Sequence, residues 1–181
     1  MYARLGQTAQ AEQVLKRALA EEPANAEANF NYGLLLAEKG DLTAAEKALR
    51  TALKTEPNMA SAAYNLGVIL ARDRVDQAIL FCRKAVAAAP LDSKYSYTLA
   101  FYLNQTGDVP GAVQVLREAI IRRPASGDPY LLLMELLVKQ GRLDAARQVL
   151  QEAQANPAFS SRDVNALEGY LRNLQQKTAR E

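Results

Sequence analysis

Apolar residues recur along this chain at spacings of three and four, in pairs of short blocks separated by a break. Between residues 25 and 57, Phe30, Leu34 and Ala37 fall on one side of a helix that Tyr32, Leu35, Leu36 and Lys39 extend. Gly40-Asp41 interrupts it: the glycine can adopt the left-handed conformation that closes a helix, and Asp41 can cap the next one. Leu42, Ala45, Leu49, Ala52 and Leu53 then form a second apolar stripe. Pro57, which has no amide hydrogen for a continuing helix, ends the block. The pattern predicts two amphipathic helices joined by a tight turn.

This pair repeats. Pro23, Pro57, Pro90, Pro124 and Pro157 are spaced by 34, 33, 34 and 33 residues. Gly6, Gly40, Gly107 and Gly141 keep the same beat, with Arg74 in the remaining slot. Two alanine ladders share it: Ala11, Ala45, Ala78, Ala112 and Ala146, then Ala18, Ala52, Ala85, Ala119 and Ala153. Small residues in these columns allow paired helices to approach closely, while Leu15, Leu49, Leu116 and Leu150 fill the space between neighbouring repeats. A lone helix pair cannot bury both its faces, so stacking is obligatory. Asn58, Asp92 and Asp128 are the expected caps of the following first helices, Asp128 with Pro129 in the first turn. A residue missing between Arg74 and Ala78 predicts a tighter turn there.

The ends depart from the period. Tyr2 and Gly6 are placed at the end of a first helix and in its turn, so most of that helix is missing and the chain reads as part of a longer one. The expected bounds are a partial repeat at 1–23, full repeats at 24–57, 58–90, 91–124 and 125–157, and a closing segment at 158–181. In the last, Ser160 and Asp163 form a capping box, and Val164, Leu167, Tyr170, Leu171 and Leu174 follow at helical spacing. The total is about ten helices plus a stub. At the other end, the stripe around Leu5, Val14 and Leu15 needs covering by upstream sequence or by another copy of the chain.

These residues resemble the tetratricopeptide repeat family, a 34-residue helix–turn–helix with W-x2-L-G-x2-Y, then A-x3-F, then P. The third unit carries Leu66-Gly67, Leu70, Ala78, Cys82 and Pro90 in those slots; the second carries Tyr32-Gly33, Leu36, Ala45, Leu49 and Pro57. The Trp slot holds Asn29, Ala63, Ser96 and Tyr130, and Met134 replaces the glycine in the fifth unit, where close packing should loosen. The resemblance implies an all-α, right-handed superhelical solenoid of stacked helix–turn–helix repeats with a C-terminal capping helix. It further implies that the first helices line a concave face where extended or helical segments of partner proteins bind. The implied lining is Phe30, Tyr64, Tyr97 and Leu131, then one turn on Leu34, Val68, Phe101 and Glu135. Asn31 and Asn65 stand beside them, and Gln105 and Lys139 lie further out. Such a strip is apolar and aromatic with bordering amides, and Asn both donates and accepts, as a peptide backbone requires. Because the family often places Asn after an aromatic whatever its partner, a generic scaffold and a dedicated apolar peptide site both fit. So does an assembly role, in which this segment of a larger multidomain protein associates through its ends.

Composition narrows the chemistry. There are 22 Lys and Arg against 20 Asp and Glu, giving a net charge of +2, with no His and one Cys. Without His, the commonest general base and metal ligand are missing, and one Cys supports neither an internal disulfide nor a thiolate cluster. No phosphate-cradling glycine loop and no nucleophile elbow are present. The expectation is a non-enzymatic chain with no cofactor and no metal, and with Cys82 a buried structural thiol in a column otherwise held by Leu. The first-helix columns lack the cations of a two-carboxylate clamp, which rejects that subclass of the family. Arg72, Arg74, Arg83, Lys84, Arg117, Arg122 and Arg123 alternate with acidic residues, which suits a solvated outer face better than a nucleic-acid surface. The longest apolar run, Tyr130 to Val138, contains Glu135 and is too short to span a bilayer. The chain is therefore expected to be soluble and to bind protein or peptide, not nucleic acid or membrane.

Overall fold

The computed structural model describes residues 2–178, with side chains from 9 to 177, and among the described residues there are ten helices and no strand. They fall into two compact units that divide between Ala88 and Ala89. The first unit holds α1 (Tyr2–Glu21), α2 (Ala26–Glu38), α3 (Leu42–Thr55), α4 (Ala60–Leu70) and α5 (Val75–Ala88), each packed against the next. Asn25 and Asp41 cap α2 and α3, accepting from Ala28 N (2.9 Å) and Ala44 N (3.0 Å). Gly40 sits at φ 83°, the left-handed turn its position demanded. The shortened turn before α5 contains no left-handed residue; instead Asp73 and Arg74 both donate their backbone N–H to Leu70 O (3.2 and 2.8 Å).

The core of this unit is made of complementary small and large residues. Ala45, Leu49 and Ala52 on α3, Leu66 on α4, and Ala78, Cys82 and Ala85 on α5 are all 0% exposed. Gly33 and Gly67 allow the closest approaches: a Cβ added at Gly33 would lie 2.9 Å from Leu49 Cγ, and at Gly67 2.8 Å from Cys82 Sγ. Each fully buried Leu contributes about 1.5–3 kcal/mol of transfer free energy, so these contacts set the helix-pair geometry.

The second unit holds α6 (Ser93–Gln105), α7 (Val109–Ile121), α8 (Asp128–Lys139), α9 (Leu143–Gln154) and α10 (Ser161–Thr178). Asp92 and Asp108 cap α6 and α7 through Lys94 N (3.1 Å) and Gly111 N (2.9 Å). Helix α8 is apolar nearly all round, and it packs against α6, α7, α9 and α10, so Tyr130, Leu132, Leu133, Leu136, Leu137 and Val138 are all buried. Met134 is also fully buried, and α8 meets α9 over a sparser interface than α2 meets α3. The buried Asn156 amide donates to Pro124 O (2.9 Å) and to the Tyr130 hydroxyl (3.2 Å), tying the loop after α9 to the start of α8. The expected capping box forms at α10: Asp163 Oδ2 accepts from Ser160 N (2.8 Å) and Oγ (2.7 Å).

Three expectations are corrected. Gly6 makes no turn; α1 runs unbroken from Tyr2 to Glu21. Gln7 after it offers no cap, unlike the Asp that follows Gly40 and Gly107, so continuing the helix costs only the roughly 1 kcal/mol of an internal glycine. The side chains of Tyr2 and Leu5 lie outside the described residues. Asn58 does not cap α4, because the turn from Glu56 to Met59 puts Met59 in the cap position, and Met59 has no side-chain cap bond. Asn25, Met59 and Asp92 all stand two residues after a proline; Asn58 stands one after. Asp128 is the first residue of α8, behind a Gly127 cap, and its carboxylate instead accepts from Ser126 Oγ (2.8 Å).

Candidate partner-binding faces

A helix turning about 100° per residue puts residues four apart on one side. On α4, Ala62, Ala63, Leu66, Gly67 and Leu70 occupy the buried side, which leaves Tyr64 and Asn65 half-buried and Val68 41% exposed. On α2, Phe30 and Leu34 are half-buried and Asn31 is exposed. These six predicted residues belong to the first unit. In the second unit, Tyr97 is half-buried, Phe101 43% exposed and Gln105 exposed on α6, and Leu131 is half-buried on the adjoining α8. Phe101 meets Tyr102 edge-on, with ring centroids 5.7 Å apart. The Asn65 amide donates to Ser61 O on its own helix (2.8 Å).

Sequence reasoning assigned α10 only a covering role, yet its Tyr170 joins this face. The Tyr170 hydroxyl donates to Glu135 Oε2 (3.0 Å), while Glu135 Oε1 accepts from Lys139 Nζ (2.6 Å). The Lys139 bond, aided by Tyr170, holds the Glu135 carboxyl below the usual carboxylate range, against the opposing effect of burial. Burial, reinforced by Glu135, pushes the Tyr170 phenol up to about 12. A signal for α10 was present: Leu167 and Leu171 fall 34 residues after Leu133 and Leu137, so α10 continues the first-helix register.

The linkage gives a pH prediction. The depressed Glu135 contributes stability that is complete above its unfolded pKa of about 4.3 and is lost as pH falls through its lower folded value. The raised Tyr170 contributes stability that is complete below about pH 10 and is lost as pH rises through its folded value. Glu135→Gln should flatten both limbs of a plot of thermal midpoint against pH; unchanged limbs would contradict the network.

Away from these faces, charges are largely internally matched. Glu46 pairs with Arg50 and Arg74, Glu12 with Lys16 and Lys39, and Arg117 with Glu152. Cys82 is fully buried, and desolvation pushes its thiol up to about 12, the opposite of an activated nucleophile. Among the described residues, no group of three or more His, Cys, Asp or Glu is placed to hold a metal ion, and no helix is long and apolar enough to cross a membrane.

The sequence model of the tetratricopeptide repeat matches residues 2–67 and 103–169, more than half of the chain, and this chain belongs to that family. No curated protein matches it in sequence. Among solved structures, MamA aligns with a TM-score of 0.72 at 21% identity, over 85% of this chain and 91% of MamA. YrrB, described as a TPR protein with an unusual peptide-binding site, aligns with a TM-score of 0.66 at 18% identity, over 90% of this chain and 92% of its own. PilW, described as a widely conserved type IV pilus biogenesis factor, aligns with a TM-score of 0.66 at 19% identity, over 96% and 80%. These likenesses establish the all-α repeat fold.

Proposed function

We propose that this chain is a non-catalytic protein-interaction module that receives extended or helical segments of other proteins on the exposed faces of its first helices. The observation that carries this is the partial exposure of Val68 and Phe101, 41% and 43%, in the same register of successive repeats beside half-buried Tyr64 and Tyr97. Apolar and aromatic side chains aligned in one register and left partly in solvent offer a partner area to desolvate, and aromatic anchors of this kind concentrate binding energy. The peptide-binding site described for YrrB on a similar fold supports the reading. The pairing of Arg50 and Arg74 with Glu46, and of Arg117 with Glu152, favours a protein partner over a phosphate backbone.

The test is affinity for a partner recovered by pull-down. Tyr64→Ala and Tyr97→Ala should each weaken binding about 30-fold, equivalent to roughly 2 kcal/mol, whereas Arg83→Ala and Arg117→Ala stay within about twofold. The reverse result would move the function to a charged surface or to association through α1, where Val14 is 63% exposed.

A further inference from the structure

Between α8 and α10 lies a cavity of about 360 Å³, enough for one leucine- or phenylalanine-sized side chain. The buried Leu167 and half-buried Leu131 and Phe159 form its apolar floor, and Tyr170 also lines it. The exposed Asp128 and Asp163 stand at its rim.

Each rim carboxylate is engaged through one oxygen only. Asp128 Oδ2 accepts from Ser126, and Asp163 Oδ2 accepts from Ser160; among the described residues neither Oδ1 has a protein donor, and neither carboxylate forms an ion pair. Asp163 is held in its charged form by the Ser160 hydroxyl and amide, with Arg162 a lesser influence. Its neighbour on the same face, Glu135, is by contrast neutralised by Lys139. An apolar floor beneath two carboxylates that form no ion pair among the described residues discriminates between partners: it favours an apolar side chain with a cation close by and repels one flanked by carboxylates.

Building on the interaction reading above, we infer that this cavity receives a Leu- or Phe-sized side chain of a partner segment that carries Lys or Arg next to it. The apolar group is desolvated against Leu131, Phe159 and Leu167, and the cation bonds to the Oδ1 atoms of Asp128 and Asp163.

The experiment records backbone amide shifts of the full chain with three short peptides: Gly-Ser-Lys-Leu-Lys-Ser-Gly, the same with Glu for both Lys, and the same with Ala for Leu. The Lys-Leu-Lys peptide should shift the amides of Gly127, Leu131, Ala166 and Tyr170, and the other two should not. Asp128→Asn, which removes a rim charge, and Ala166→Trp, which fills the cavity from an exposed position, should each weaken that binding at least fivefold in folded protein. Equal binding of the Glu peptide, unchanged affinity in both variants, or no shift at these amides overturns the inference. If the Lys-Leu-Lys peptide shifts Tyr64, Val68 or Phe101 while the cavity amides stay still, this inference fails and the first-helix reading stands. That wider reading has its own arbiter in the Tyr64 and Tyr97 affinities.

Discussion

Leu49→Ala should lower the unfolding free energy of the first unit by about 3 kcal/mol, within the 2–5 kcal/mol span of buried Leu truncations. Leu49 is 0% exposed and faces Gly33, whose missing side chain is what admits it. Gly33 has no side chain to fill the void left by truncation, so the cavity penalty adds to the lost transfer energy. Gly33→Ala sharpens the test. Alone it destabilises, because its methyl would sit 2.9 Å from Leu49 Cγ and 3.3 Å from the Ala45 carbonyl oxygen. In the Leu49→Ala background the same methyl enters vacated space, so the two losses should fall short of additive by about 0.5 kcal/mol or more. Chemical denaturation of the four proteins checks this; a Leu49→Ala loss below about 1 kcal/mol would mean that α2 and α3 do not pack as described.

The second large effect is at Gly67. Its substitution by Ala would put a Cβ 2.8 Å from Cys82 Sγ and 3.1 Å from the Ala78 carbonyl oxygen. The sulfur can shift, but the carbonyl belongs to the first turns of α5 and cannot move without the helix. A loss of about 1–3 kcal/mol is expected, the usual range for overpacking. Adding Cys82→Ala removes the sulfur and should return part of the loss, leaving the share due to the backbone contact. Gly169 in α10 is the control: nothing lies within 4 Å of a Cβ there, so Gly169→Ala should raise stability by about 0.5–1 kcal/mol. Equal midpoints for Gly67→Ala and Gly169→Ala would contradict the close contact of α4 with α5.

The repeat was legible because its cause is steric and strictly periodic. Ala45, Ala78, Ala112 and Ala146 are all 0% exposed, as are Ala52, Ala85 and Ala153. The exceptions in those ladders, exposed Ala11 and half-buried Ala18, lie on α1, whose main described packing is against α2. Gly40, Gly107 and Gly141 all take positive φ, because each is followed by a helix start that must reverse the chain. Gly6 shares their register but not their context. The caps were harder to read, since moving one residue past a proline decides whether Asn58 or Met59 faces the helix, and residue type favoured the wrong one. The bonds made around the candidate residues were not legible. Tyr170 and Glu135 are 35 residues apart, and only packing of α10 on α8 shows that the phenol is bonded to that carboxylate.

The central claim is that the first-helix faces, and not the second-helix surfaces, meet the partner. A photo-crosslinking residue placed singly at Val68, Phe101, Arg83 and Gln114 in the chain, expressed in cells, tests it most directly, since all four positions are exposed and tolerate replacement. The account predicts discrete adducts from Val68 and Phe101, each mapping by mass spectrometry to one segment of another protein, and none from Arg83 or Gln114. Adducts confined to Arg83 and Gln114, with Val68 and Phe101 silent, would contradict it.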